Sequence, residues 1–274
     1  MRSIAIINQK GGVGKTTTAV NLSAALAAAG HKVCLLDLDP QAHASLHLGI
    51  ALSDSDRSIY DVLIGNAAVS EIVQEVTDNL SLIPSHLDLA AAELELASEV
   101  GREVILRDKL ALETNDFDFM LIDCPPSLGV LTLNALTAVN EVFLPLQPHF
   151  LALHGLSKLL QTIDLVTQRL NSNLMLSGVV LCMYDSGTRL AAEVSADVRE
   201  FFARQTVSKG AWANARTFDT RIRRNIRLAE APSFGQSIFD YAPQSHGAED
   251  YRQLAREVCG LSSARASIAS AAAA

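Results

Sequence analysis

Residues 10–17 read Lys10-Gly11-Gly12-Val13-Gly14-Lys15-Thr16-Thr17. Gly11, Gly12 and Gly14 carry no Cβ, so a backbone built from them can close around an anion. Lys15 would reach the β- and γ-phosphates of a nucleotide, the Thr16 hydroxyl would take a Mg²⁺ position, and Thr17 would bond the α-phosphate. The usual phosphate loop is G-x-x-x-x-G-K-[ST]. Here Gln9 stands at its first glycine, and Lys10 adds a cation near the start of the loop. Taken alone, Lys10 also fits a solvated surface lysine. The loop alone also fits a glycine turn that merely precedes a helix.

Acids complete the set. Asp37 and Asp39 stand two apart on an extended segment, so their side chains point the same way. Asp37 is expected near Mg²⁺. Asp123 follows the apolar run Phe119-Met120-Leu121-Ile122, as an acid holding a Mg²⁺-bound water does. Each alone fits a strand-end turn former; together beside one phosphate loop they point to a nucleotide site.

The elements that must carry these residues are legible on either side. Ser3 to Asn8 has the apolar run of a buried parallel strand. Thr16 to Ala29 reads as a helix stopped by Gly30. Strand, loop and helix in that order aim several N–H groups and a helix dipole at one point. A second strand, Lys32 to Leu36, leads into Asp37. A helical stretch runs from Ser58 to about Glu113, broken by a short strand at Leu80 to Ile83. Further strands are expected near 119–122, 141–144 and 177–182. The rhythm predicts one α/β domain with a mostly parallel twisted sheet and helices on both faces.

The run Lys10-Gly11-Gly12-Val13-Gly14-Lys15-Thr16-Thr17 resembles the deviant Walker A loop of the ParA/MinD ATPase superfamily of P-loop NTPases. Further blocks extend the resemblance over Ile4 to about Gly260. They include Asp118 to Gly129, Pro145-Leu146-Gln147, Leu153 to Leu156, Gly178 to Val180 with Met183-Tyr184-Asp185, Arg224 to Gly235, and Gly247 to Tyr251. They are similar to the chromosomal ParA/Soj branch. That resemblance implies an ATPase using ATP and Mg²⁺. It implies that Lys10 crosses a dimer interface to the partner's phosphates and that Asp39 positions the attacking water. It also implies slow turnover, stimulated by a ParB-like centromere-binding protein.

The chain departs from the family pattern in three places. Many relatives have Gly-Asn where this chain has Ala42-His43, relatives often have Ile-Pro-Arg-Asn where it has Ile222-Arg223-Arg224-Asn225, and segment 205–217, with Trp212, departs most.

With 274 residues, 49% of them hydrophobic, the chain can bury a large sheet. The domain is expected over 1–260, followed by a Ser/Ala-rich disordered tail over 261–274. The first strand starts at the N-terminus and no run reaches membrane-span length, so a cytoplasmic protein is expected; the family resemblance implies that it is nucleoid-associated. Cys34, Cys124, Cys182 and Cys259 are scattered without a C-x-x-C, which argues against a disulfide framework, a metal site or an iron–sulfur reductase. His43 and His47 read as polar loop residues, because no third metal ligand accompanies them.

Net charge is −8, yet eight basic residues lie between Arg199 and Arg227 against two acids. Such clustering is the footprint of sequence-independent binding to phosphate backbones. The expected DNA contacts are Arg216, Arg221, Arg223, Arg224 and Arg227, with Arg189 contributing; a solvated, salt-bridged face is the other reading. A MinD-type membrane-surface ATPase needs a terminal amphipathic helix with bulky apolar residues, which 262–268 lacks. The same switch acting on a chemoreceptor array or a microcompartment would look alike in sequence.

Overall fold

The computed structural model describes residues 1–111, 116–149, 156–205, 210–213 and 215–272; for 204–205 and 261–272 it describes backbone alone. Eight strands form one sheet: β1 (Arg2–Ile6), β2 (Val33–Asp37), β3 (Gln74–Thr77), β4 (Leu80–Ile83), β5 (Phe119–Asp123), β6 (Glu141–Leu146), β7 (Met175–Tyr184) and β8 (Arg216–Arg223). Their order is β3-β4-β2-β5-β1-β6-β7-β8. Every pairing is parallel except β3 with β4.

The helices follow in chain order. They are α1 (Lys15–Ala28), α2 (His43–His47), α3 (Ile59–Leu63), α4 (Leu89–Glu95), α5 (Ile105–Ala111) and α6 (Val130–Ala138). Then come α7 (Leu156–Arg169), α8 (Arg189–Gln205), α9 (Ile226–Glu230), α10 (Ile238–Tyr241) and α11 (His246–Ala272).

Strand alternation divides the core in two. Ile4, Ile6, Val33 and Leu35 pack on one face with Leu22 and Leu26 of α1 and Tyr251, Leu254 and Val258 of α11. Ala5, Ile7, Cys34 and Leu36 pack on the other with Leu106 of α5, Leu131 of α6, Ile163 of α7 and Val198 of α8. Successive side chains of a strand point to opposite faces, so a sheet covered on both sides requires strands that are apolar throughout. All five residues of β2 and of β5 are buried accordingly.

The fold agrees with the α/β expectation, with three differences. The stretch 58–113 holds the hairpin β3–β4 rather than one short strand. β3 alternates half-buried and exposed positions and offers little apolar signal. β8 went unread because its sequence, Arg-Thr-Phe-Asp-Thr-Arg-Ile-Arg, buries only Phe218 and Ile222 at this sheet edge. The chain past Gly260, where composition suggests disorder, continues as helix to Ala272.

Candidate nucleotide site

β1 lies between β5 and β6, and β2 lies on the far side of β5. The connection from β1 runs one way across the sheet, to β2, and that from β5 runs the other way, to β6; ligands sit at such a reversal, beyond the carboxyl ends of the strands. The glycine loop leaves β1 there. Gly14 caps α1 at φ 93°, a conformation natural to glycine alone, and an added Cβ would lie 3.4 Å from Cys182 Cβ. Gly11 and Gly12 have open space where a Cβ would stand, Gly12 at φ 72°. Val13 is buried, while Thr16 and Thr17 are half-exposed at the helix start.

Lys15 is buried, and its ammonium donates to the Lys10 carbonyl at 3.2 Å. Burial lowers its pKa, opposed by the nearby carboxylates of Asp123 and then Asp39. The ammonium is thus turned back onto its own loop and ready for a better acceptor.

The parallel register sets Asp37 directly beside Asp123, at the ends of β2 and β5. Both are wholly buried. Both carboxylate oxygens of Asp123 lack a hydrogen-bond partner. Thr16 lies near enough to favour the ionised form of Asp123 without making a hydrogen bond of ordinary geometry. Burial holds the Asp123 pKa well above the usual carboxylate range, and the charge of Asp37 adds to this. A buried carboxylate left unbonded is costly unless a cation or water completes it. Asp123 and Thr16 therefore fit a Mg²⁺ with its water.

Asp37 differs. Its Oδ2 accepts from the Ser45 amide and hydroxyl, both at 2.8 Å, and its Oδ1 accepts from the Asp39 amide at 3.2 Å. Burial raises its pKa to about 6, with the Ser45 and Asp39 bonds pulling the other way. Asp37 thus holds the start of α2 and the backbone of Asp39. Asp39 faces the cleft, its Oδ1 bonded to the Gln41 amide at 3.0 Å.

The cleft above the loop measures about 720 Å³. Besides the loop and Asp39 it is walled by Cys182, Met183, Ile222, Asn225 and Leu228. Met183 stands at φ 49°, a strained conformation for a side-chain-bearing residue at the lip of the site. The sequence gives no sign of Ser45. Ser45 lies eight positions beyond its acceptor and belongs to no phosphate-loop pattern.

Lys10 is exposed, and its ammonium lies 3.0 Å from His149 Nε2. His43 and His47 both lie on α2 rather than in a loop. His43 is exposed, whereas His47 is buried, and its Nε2 lacks a partner. No group of three or more His, Cys, Asp or Glu side chains placed to hold a metal ion is present among the described residues.

The arginines of the basic segment divide by environment. Arg223 is bound to Asp250 and Glu249. Arg227 pairs with Glu230, and Arg189 with Glu193. Arg221 stacks over the Tyr184 ring at 4.5 Å, and Arg216 lies 5.9 Å from the centre of the Phe218 ring. Arg224 is exposed at the cleft rim. The side chains of Arg204 and Lys209 lie outside the described residues.

A family profile described as an AAA domain matches residues 1–176. Soj, the sporulation initiation inhibitor of Bacillus subtilis, is 47% identical over 93% of this chain and 97% of its own. The chromosome partitioning protein ParA of Caulobacter vibrioides is 46% identical over 94% of each chain. The chain belongs to the Soj/ParA family of chromosome-partitioning ATPases. Among solved structures, a Mycobacterium smegmatis protein described as cobyrinic acid a,c-diamide synthase, bound to an ATP analogue and magnesium, is also similar. It is 37% identical with a TM-score of 0.78, and 93% of each chain is covered. The Soj/ParA assignment agrees with the family read from the glycine loop. No described helix is long and apolar enough to cross a membrane.

Proposed function

We propose that this chain is an ATP-switched partitioning ATPase that pairs with a second copy of itself when Mg²⁺ and ATP are bound. The observation that carries the reading is the second lysine. Lys10 stands exposed at the mouth of a loop whose own phosphate lysine, Lys15, is already in place. One lysine serves the nucleotide in its own loop, so the second, Lys10, serves the nucleotide of a partner.

In this mechanism the amides of Gly11 to Thr17 and the Lys15 ammonium hold the triphosphate. Thr16 and Asp123 hold Mg²⁺, with Asp37 anchoring the segment around Asp39. Bound Mg²⁺ supplies positive charge that offsets the charge of the triphosphate. Asp39 orients the attacking water. Lys10 from the opposite protomer stabilises charge that develops on the γ-phosphate, so hydrolysis waits for assembly.

The paired form binds DNA without sequence preference through Arg216, Arg221 and Arg224, with Arg189 and Arg227 at the margins. Arg223 supports this surface from below through its acids. A ParB-like centromere-binding protein stimulates hydrolysis and releases the DNA, which links a nucleoid-bound ATPase to chromosome or plasmid segregation. The name of the Mycobacterium protein points to a different reaction, but the partitioning relatives are more alike in sequence, at 46–47% against 37%.

Retention on arbitrary DNA tests the reading. It is expected only with ATP, weakened steeply by salt, and lost in Lys15→Ala and in Arg216→Glu/Arg224→Glu. Retention that ignores nucleotide would contradict it.

A further inference from the structure

Lys10 is not loose in the single chain. Its ammonium sits 3.0 Å from His149 Nε2. An ammonium has no lone pair, so Lys10 donates and Nε2 accepts, which places any neutral-ring proton on Nδ1. The two partners are 139 residues apart, and Asn8 ties the Lys10 backbone to that of Pro145, four residues before His149. Asn8 Oδ1 accepts from the Lys10 amide at 3.0 Å, and Asn8 Nδ2 donates to the Pro145 carbonyl at 2.7 Å, at the end of β6. The His149 amide in turn donates to the Gln147 carbonyl at 3.0 Å. A cavity of about 250 Å³ opens here, lined by Asn8, Lys10, Val13, Leu146 and His149 among others. It gives the lysine stem room to change direction.

The lysine is therefore held at both ends. Its carbonyl accepts from Lys15, and its ammonium donates to His149. A triphosphate that draws Lys15 away removes the first hold and leaves the second.

We infer that His149 is a positioning residue that keeps Lys10 in its own protomer until a partner's triphosphate outcompetes the imidazole. This rests on the trans role of Lys10 proposed above. The contact lowers the fraction of chains with Lys10 ready to cross, and because both protomers must release it, the apparent affinity for pairing falls by the square of that fraction. His149 thus raises the threshold for pairing and opposes self-association at low nucleotide.

The test is pairing of the full chain in Mg²⁺ and a non-hydrolysable ATP analogue, by sedimentation velocity against protein concentration. Four proteins are compared: unaltered, His149→Leu, His149→Gln and Lys10→Ala. His149→Leu is expected to be half-associated at a concentration roughly fourfold lower, because a bond between exposed and half-exposed groups is worth about twofold and both protomers must break it. His149→Gln keeps an acceptor and is expected to stay within about twofold of the unaltered chain. A His149→Leu curve that is unchanged or moves to higher concentration, with Lys10→Ala monomeric, overturns the inference and leaves the trans lysine standing. Equal shifts in Leu and Gln overturn it too, because the hydrogen bond then plays no part. Lys10→Ala that pairs normally overturns the trans lysine, and this inference with it. Should His149→Leu not fold, acylation of the unaltered nucleotide-free chain decides. Slower modification of Lys10 than of exposed Lys158 supports the contact, and equal rates overturn it.

Discussion

Arg223 donates from its backbone amide and its guanidinium to the same carboxylate, that of Asp250. The amide reaches Oδ2 at 2.8 Å, and the guanidinium reaches Oδ1 at 2.6 Å. A proline at this position would have neither donor. Arg223 thus binds the end of β8 to α11 through a carboxylate that is only 3% exposed. Glu249 adds a contact at 2.7 Å, and these bonds raise the Arg223 pKa further.

Removing Arg223 is therefore a stability lesion first. Arg223→Ala is expected to lower unfolding stability by about 2 kcal/mol, because the Asp250 carboxylate loses its charged partner while staying buried. Urea unfolding measures this. Retention on DNA at a temperature where the variant stays folded should fall much less than in Arg224→Ala. The opposite ranking would make Arg223 a DNA contact rather than a strut.

Ala42 caps α2 at φ 52°. A left-handed alanine costs about 1–2 kcal/mol, while a glycine gives back about 0.5–1 kcal/mol through the greater freedom of the unfolded chain. Ala42→Gly is expected to stabilise the protein by roughly 0.5–1 kcal/mol, read as a higher thermal midpoint. Destabilisation would mean that the Ala42 methyl makes contacts worth more than its strain.

His47 gives the acid limb of stability. Burial lowers its pKa from 6.5 to about 4, with a Gln236 backbone hydrogen bond opposing. The neutral ring is favoured in the folded state, so its contribution is full above pH 6.5 and is lost as pH falls towards 4. At pH 5 the loss should approach about 2 kcal/mol, at about 1.4 kcal/mol per pH unit below 6.5. The difference between the unaltered chain and His47→Gln, from urea midpoints at pH 7.5 and 5, isolates it. The gap should narrow in acid; a gap that is constant with pH contradicts the assignment.

Much of the fold and of the site could be read directly. A buried parallel strand is apolar at both parities, and β1, β2 and β5 announce themselves that way. The phosphate loop follows from glycine spacing, because an anion cradle tolerates few side chains. Long-range partners could not be read. Ser45 with Asp37, His149 with Lys10 and Asp250 with Arg223 are brought together by packing, and no local period encodes such pairs. The basic segment shows the same limit. Its charge count is visible, but the sequence does not reveal that Arg223 and Arg227, and Arg189 ahead of the segment, each face an acid.

The exchange of Lys10 between protomers has a direct assay in mixed dimers. Lys10→Ala and Asp39→Ala should each hydrolyse ATP hardly at all alone. In a mixed pair, the Lys10→Ala protomer keeps Asp39 and receives Lys10 from its partner, so one site is complete. Equal mixing should restore up to roughly a quarter of the unaltered rate, since half the pairs are mixed and one site in two is whole. A mixture no faster than the sum of its parts would show that Lys10 does not cross.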